Sequence, residues 1–194
     1  MERTDTKERL LGATLKLIST RGYLGATTRE IAREAGVSEL TLFRHFRSKE
    51  RLFEEVLNTY TFLPRLRELL PELEGLPCDE ALMSIGTGFL ETLKERKSMV
   101  RIMFSEMNTY PEKVRRVHKR FIDETILTLA NYFRALQDRG RLRKFPHTTG
   151  ARAFLGMVFS YFQTEEIVKG RNINKKEMQR TVGEFTDIFL RGVK

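Results

Sequence analysis

Residues 27 to 49 concentrate side chains that can hydrogen-bond to a nucleic acid. Arg44 carries a planar guanidinium that matches the two acceptors of a guanine edge, and Lys49 carries a compact charge suited to a phosphate. Hydroxyl groups of the same stretch are further donors to phosphate oxygens, and Leu40 offers an apolar contact to a thymine methyl group. The pattern predicts contacts to double-stranded DNA from Thr27, Thr28, Ser38, Glu39, Leu40, Thr41, Arg44, His45 and Lys49.

Two short helices joined by a tight turn must hold these side chains in place. Thr27 lies three residues before Glu30, which is the spacing of a capping box, where hydroxyl and carboxylate satisfy each other's backbone amides. Residues 31–35 place isoleucine and two alanines on one apolar face, so a second helix can approach closely. Gly36 can end the first helix in a left-handed conformation, and Ser38 can cap the second.

The second helix divides its residues between the interior and the outside. Leu42, Phe43 and Phe46 are expected to face the core. The residues left to face outward are Glu39, Leu40, Thr41, Arg44 and His45. Ser48 can cap a following helix, whose first turn carries Lys49 beside free backbone amides. This layout is a helix-turn-helix, which presents one short helix to the major groove of DNA.

The stretch from residue 27 to residue 52 resembles the DNA-binding domain of the tetracycline-repressor (TetR) family of transcription regulators. The family pattern is roughly T-x-x-x-I-A-x-x-A-G-V-S-x-G-x-L-Y-x-[HY]-F-x-x-K-x-x-L. The sequence carries it at Thr27, Ile31, Ala32, Ala35, Gly36, Val37, Ser38, Leu42, His45, Phe46, Lys49 and Leu52. It departs at Leu40, where the family has glycine, and at Phe43, which lacks the hydroxyl that the family's tyrosine would offer to a phosphate.

The resemblance implies a sequence-specific regulator of transcription. It favours a repressor that binds a palindromic DNA operator as a homodimer and is released by a small apolar or amphipathic effector. Two other interpretations remain open: an activator of the same fold, and a non-specific nucleoid-type DNA-binding protein. No cofactor and no metal are expected.

Composition is that of an ordinary globular chain of 194 residues with 40% hydrophobic content. The single cysteine, Cys78, excludes an internal disulfide framework. The charged first twelve residues lack the apolar core of a signal peptide, and the apolar stretch around 153–162 is too short to span a membrane. We therefore expect a cytoplasmic protein with no membrane partner.

The net charge of +9 is unevenly distributed along the sequence. Residues 1–60 hold 11 basic and 9 acidic side chains, whereas residues 111–145 hold 10 and 4. The excess therefore lies outside the N-terminal motif, mainly in segments 113–120 and 139–144. These segments are either solvated helix surface and helix ends, or sites that attract an acidic ligand or flanking DNA phosphates.

Apolar residues recur at helical spacing along most of the chain, and no stretch alternates as a strand does. The pattern predicts an all-α fold of about nine helices, with a short helix suggested between Pro64 and Leu73. Predicted helices cover about 6–21, the two motif helices, and segments beginning at Ser48, Asp79, Ser98, Pro111, Thr148 and Asn174. Proline and glycine at 64–77 mark a boundary. We expect a three-helix DNA-binding domain at 1–60 and a helical effector-binding and dimerisation domain at 61–194.

The last two predicted helices, over about 148–169 and from Asn174, have features of a dimer interface. The stretch 153–162 is apolar nearly all round, and small residues four apart allow close helix contact. The predicted interface consists of Gly156, Ser160, Met178, Val182, Phe185 and Phe189. The alternative is that both helices only build the core of one chain.

Methionine and phenylalanine are frequent after residue 60, and both adapt to irregular apolar shapes. Any one of them is explained by an ordinary core. Together with the resemblance, they predict an effector pocket lined by Phe89, Met99, Met103, Phe104, Met107, Phe121, Phe133, Phe154, Met157 and Tyr161.

Residue patterns of an enzyme are missing from the sequence. The three histidines, His45, His118 and His147, lie apart without metal-ligand spacing, and no nucleophile elbow or phosphate-binding loop occurs. The Gly-Thr-Gly at 86–88 lacks the third glycine and the preceding strand of a dinucleotide site. No catalytic residue is predicted.

Overall fold

The computed structural model describes residues 5–193, and this part of the chain is helical with no strand. Its α-helices are α1 (Thr6–Gly25), α2 (Thr28–Glu34), α3 (Glu39–Phe46), α4 (Lys49–Tyr60), α5 (Phe62–Glu72), α6 (Cys78–Glu95), α7 (Lys97–Glu106), α8 (Glu112–Asp138), α9 (His147–Phe162) and α10 (Lys175–Val193). A 3-10 turn at Met107–Thr109 follows α7, and a π-helical turn at Gln163–Val168 continues α9. The all-α prediction is confirmed, and α5 is the short helix suggested beside the nine.

The chain packs as two compact units. The first comprises the described part of Met1–Tyr60 together with Arg96–Phe121, and the second comprises Thr61–Glu95 with the described part of Ile122–Lys194. Helix α7 and the first turns of α8 therefore pack with the N-terminal helices. The functional boundary at residue 60 stays a prediction, because packing alone does not locate function.

Apolar side chains of α1 to α4 form most of the core of the first unit, which also takes in Tyr110 and Val114. Gly22 kinks α1 instead of ending it, with φ at +75°, where only glycine is unstrained. The Tyr23 amide beyond the kink donates to the Glu106 carboxylate at 2.8 Å. A Cβ at Gly22 would lie 1.9 Å from that carboxylate, so the end of α7 is fitted to the kink.

Aromatic rings fill the core of the second unit. Phe189 on α10 stacks on Phe133 at 5.4 Å and meets the Phe154 ring edge-on at 5.5 Å. Gly86 on α6 allows α10 to approach, because a Cβ there would be 2.7 Å from a Val182 methyl group. The Gly-Thr-Gly of the sequence is thus a packing feature of a helix.

The predicted cap at Ser98 was wrong, because α7 begins at Lys97 after Arg96 without a side-chain cap. The helix predicted over 148–169 corresponds to α9 and the π-helical turn that continues it to Val168. Among the described helices, none combines the length and the apolar content needed to cross a membrane.

Candidate DNA-binding site and exposed face of α9 and α10

The helix-turn-helix is built by local caps. Thr27 accepts the Glu30 amide at 3.2 Å while the Glu30 carboxylate accepts the Thr27 amide at 3.3 Å, which is the predicted capping box. Hydrogen bonds from Thr27 lower the pKa of Glu30, so the cap is charged at neutral pH. Gly36 turns the chain with φ at +67°, and the Ser38 hydroxyl accepts the Thr41 amide at 3.1 Å.

Helix α3 turns one face away from the core. Leu42 and Phe46 are buried, whereas Leu40 is 71% exposed, one turn from exposed Arg44. Phe43 is 40% exposed, so the expectation that it faces the core was wrong. Helical geometry explains this position, because residue 43 lies on the flank between the buried and outward faces.

Several predicted DNA contacts already have partners within the chain. The Thr28 hydroxyl donates to the Glu39 carboxylate at 2.5 Å, which ties α2 to α3. The Ser38 and Thr41 hydroxyls lie 2.9 Å apart in a mutual hydrogen bond. His45 is exposed on α3. The DNA roles of all nine residues remain predictions.

Lys49 lies partly inside the first unit. Its ammonium donates to the Tyr23 carbonyl and sits 4.2 Å from the centre of the Tyr23 ring. Burial lowers the pKa of Lys49. The predicted phosphate ligand therefore also fastens the start of α4 to the kink of α1.

The exposed surface of α9 and α10 carries an open groove of about 550 Å³. It is lined by Gly156, Met157, Ser160, Tyr161, Thr164, Glu165 and Phe185. Three predicted interface residues, Gly156, Ser160 and Phe185, therefore share one surface, and Ile188 on α10 is a further exposed apolar side chain, at 61%. The other three, Met178, Val182 and Phe189, are buried inside their own chain.

The ten predicted pocket residues are divided between the units. Met99, Met103, Phe104, Met107 and Phe121 belong to the first, and Phe89, Phe133, Phe154, Met157 and Tyr161 belong to the second. Met99 and Met103 are buried in the first core, whereas Phe104 is 43% exposed. Met157 and Tyr161 line the groove, and Met157 also packs against the core of the second unit. Their role in effector binding stays a prediction.

Sequence reasoning missed a charged cluster at the π-helical turn. Glu165 and Glu166 are both buried. Glu165 pairs with Lys169 at 2.7 Å and with Arg171 at 2.6 Å, and Glu166 pairs with Lys94 of α6 at 2.9 Å. The only local signal is two adjacent carboxylates directly after an apolar helix, which does not reveal their partners.

The caps, the turn and the outward face of α3 define a helix-turn-helix DNA-binding protein. Residues 10–56 match the family of bacterial regulatory proteins of the TetR type. Residues 80–192 match the C-terminal domain of AefR-like transcriptional repressors. The chain therefore belongs to the TetR family of transcriptional regulators, as the motif residues predicted. Both matches are to families of transcriptional regulators.

Three similar proteins extend the comparison. YvkB of Bacillus subtilis, an uncharacterized helix-turn-helix regulator, is 28% identical over 97% of both chains. The nucleoid occlusion factor SlmA of Vibrio campbellii is 40% identical over 57 residues, 29% of each chain. FadR of Bacillus subtilis, solved with stearoyl-CoA, has the same fold with a TM-score of 0.73 at 16% identity, covering 96% of this chain and 99% of its own.

Proposed function

We propose that this regulator is a repressor that binds a palindromic operator as a homodimer and is released by a small apolar or amphipathic molecule. The observation that carries the proposal is the outward line of α3, where Leu40 and Arg44 lie one turn apart on a helix held by caps at its start. Such a line fits the major groove, where a guanidinium can read guanine and a leucine can contact a thymine methyl group. Its DNA target would place this function in the cytoplasm.

Selection of bound duplexes from a random pool is the most direct test of the proposal. Two copies of α3 reading successive major-groove faces should select an inverted repeat whose half-sites are about 34–36 Å apart, or a multiple of that distance. An enriched direct repeat, or a single half-site, would contradict the homodimeric arrangement.

Arg44→Ala is expected to weaken binding to the selected duplex by about 1–3 kcal/mol and to relax the preference at one base pair of each half-site. The reason is that a bidentate contact to one base is lost while phosphate contacts are kept. Fluorescence anisotropy with duplexes substituted at each position measures both effects. Arg33→Ala is the matched control, since Arg33 is an exposed arginine on α2, and it should leave base preference unchanged. If Arg44→Ala keeps the base preference of the wild type, the residues that contact the bases must lie elsewhere on α3.

Homodimerisation is supported by the exposed surface of α9 and α10. Gly156 and Ser160 lie four residues apart, and nothing lies within 4 Å of a Cβ built at Gly156. A second copy could therefore approach the α9 backbone closely, and Phe185 and Ile188 would supply apolar contact. Burial of such a face on association is favourable in proportion to the apolar area removed from water.

An anionic acyl ligand is the effector class that the comparison favours, because FadR was solved with stearoyl-CoA. Phe133 and Phe154 lie in a closely packed aromatic core, so a ligand tail entering there would have to separate these rings.

Stearoyl-CoA at a hundredfold excess over its dissociation constant should raise the melting temperature by roughly 5–10 °C and weaken operator binding. Differential scanning fluorimetry with fatty acids, acyl-CoAs and cationic dyes compares the classes. A melting temperature unchanged by every compound would remove the support for an apolar effector.

A nucleoid role is the second candidate, favoured by the likeness to SlmA over the DNA-binding segment. A non-specific DNA-binding protein would bind random and selected duplexes alike across a salt series. A regulator keeps a preference of at least about 10³-fold for its site. Gel shifts over that series separate the two functions.

A further inference from the structure

Because α7 and the start of α8 pack with the N-terminal helices, most of the net charge of the protein lies in the first unit. Residues 1–60 alone hold a net charge of only +2. With Arg96–Phe121 included, the first unit holds 19 basic and 11 acidic residues, so it carries +8 of the total +9. The unit that contains the helix-turn-helix is therefore strongly basic, and the added charge comes mostly from the first turns of α8.

One face of α8 collects these charges. Val114, Val117 and Phe121 pack on the core of the first unit. The opposite face exposes Lys113, Arg115, Arg116 and Lys119, which we call the α8 basic face. Viewed down the helix axis, the four basic residues occupy about half of the circumference, and the apolar residues lie on the other half.

The α8 basic face has few acidic partners. Within residues 5–193, neither Arg115 nor Lys119 forms an ion pair. Arg116 meets only Glu112, at 3.3 Å, in an exposed pair of a kind that contributes little and exchanges readily. The face therefore presents positive charge that the folded chain leaves largely uncompensated.

The second basic segment of the sequence behaves differently. Arg139 pairs with Glu74, Arg141 donates to the Leu76 carbonyl, and Arg143 donates to the Gly192 carbonyl at 2.9 Å. These arginines fasten loops and a helix end, as cations near exposed carbonyls do. Of the two basic segments, 113–120 and 139–144, we therefore consider the first, at the start of α8, as a candidate binding surface.

One ion pair and one charge interaction place the first turns of α8 near those of α4. Hydrogen bonds from its own amide and from Ser48 lower the pKa of Glu50, and the nearby charge of Lys113 lowers it further. One to two turns along each helix, Arg120 pairs with Glu54. The first turns of α8 thus lie near those of α4, and Lys113 is close enough to Glu50 to act on its charge.

The dipole of α4, a helix of 12 residues, attracts phosphates to its N-terminus, where the Ser48 hydroxyl accepts the Arg51 amide at 3.2 Å. Lys49, in its first turn, directs its ammonium to the Tyr23 carbonyl. The exposed cations of α8 are therefore well placed to neutralise a DNA strand that passes this helix end.

We propose that the α8 basic face binds the DNA backbone phosphates beside the half-site that α3 reads, so that α8 extends the DNA-binding surface beyond the helix-turn-helix. The inference rests on the proposed function, since it needs a bound operator. Anchoring by Val114 and Tyr110 in the core fixes the start of α8, which limits the side-chain ordering that binding requires.

The test is the double variant Arg115→Gln/Arg116→Gln, which keeps helix propensity and removes two positive charges. Its slope of log affinity against log salt should fall by about two per protomer, because each lost phosphate contact contributes about 0.9. The selected half-site sequence should not change, since phosphate contacts carry no base information. Fluorescence anisotropy at several salt concentrations measures the slope.

The matched control is Lys175→Gln/Lys176→Gln, an adjacent exposed pair in the first turn of α10 in the second unit. It removes the same charge and should leave the slope unchanged. Glu112→Gln should act in the opposite direction and strengthen binding. An unchanged slope in the α8 variant, or an equal fall in both double variants, would overturn the proposal.

Duplex length separates this proposal from the proposed function itself. Wild-type protein should bind a duplex with flanking base pairs more tightly than one trimmed to the half-sites, and the α8 variant should lose that difference. If wild-type protein prefers no sequence, the proposed function fails. If it prefers a sequence but gains nothing from the flanks, only the α8 proposal fails.

Discussion

Gly156→Arg is expected to convert the homodimer to a monomer and to weaken operator binding by about 10²- to 10⁴-fold. The proposed homodimer would hold two copies of α3 together, so the second copy would bind its half-site at a high effective concentration that a monomer lacks. An arginine at this position would separate the α9 helices of two copies and would bury a charge without a partner. Within one chain the position has room for a side chain, because nothing beyond the local helix backbone lies within 4 Å of a Cβ built there.

Light scattering after size exclusion gives the mass of the Gly156→Arg variant, and fluorescence anisotropy with the selected duplex gives its affinity. The series Gly156→Ala, Gly156→Leu and Gly156→Arg should weaken the dimer in that order. Each larger side chain would push the α9 backbones of the two copies further apart.

Gln179→Arg is the matched control for the same added charge. Gln179 is an exposed residue of α10 next to Arg180 and outside the groove. This variant should remain a dimer and bind as wild type. A dimeric Gly156→Arg with normal affinity would place the interface on another surface.

The helix-turn-helix could be predicted in detail because each of its signals is local. The Thr27 and Glu30 capping box, the turn at Gly36 and the Ser38 cap each join residues no more than four positions apart. Their types alone fix the hydrogen bonds that they can make. Phe43 is the exception, because flank positions of a short helix are decided by what packs beside them.

Long-range contacts account for what the sequence did not reveal. Lys49 meets Tyr23, 26 residues away, and Glu106 meets Tyr23 across 83 residues. The grouping of Arg96–Phe121 with the N-terminal helices is of the same kind. Periodicity shows which face of a helix is apolar, but it does not show which partner covers that face.

The predicted dimer interface illustrates the same limit. Met178 and Phe189 follow an apolar stripe on α10, and the structure buries both within one chain. Two other apolar positions, the half-buried Phe185 and the exposed Ile188, lie beside that stripe. A helix that packs on its own chain and on a second copy has two apolar faces, and composition does not distinguish them.

Lys94→Met is expected to destabilise the protein by about 3–5 kcal/mol, because it removes the Lys94 charge that pairs with the buried Glu166 carboxylate. Glu166 is only 3% exposed. The Lys94 ammonium lies 2.9 Å from it and also donates to Asn172 at 3.0 Å and to the Ile173 carbonyl. The Ile173 amide, which donates to Glu166 at 2.8 Å, would remain on the carboxylate.

Urea unfolding followed by circular dichroism measures this loss, and the melting temperature should fall by roughly 2–4 °C per kcal/mol. Protein concentration must be held constant, since the proposed dimerisation would contribute to stability. Lys175→Met, at an exposed lysine of α10, is the control for the loss of a surface charge and should stay within about 0.5 kcal/mol of wild type.

The double variant Lys94→Met/Glu166→Gln separates the buried charge from the loss of packing. Removing both charges leaves a neutral amide that still accepts the Ile173 amide, so most of the stability should return. If Lys94→Met alone costs less than about 1 kcal/mol, water must reach Glu166, and the pair does not hold the π-helical turn against α6. If the double variant is as unstable as Lys94→Met, the lysine acts through its bonds to Asn172 and Ile173 and not through its charge on Glu166.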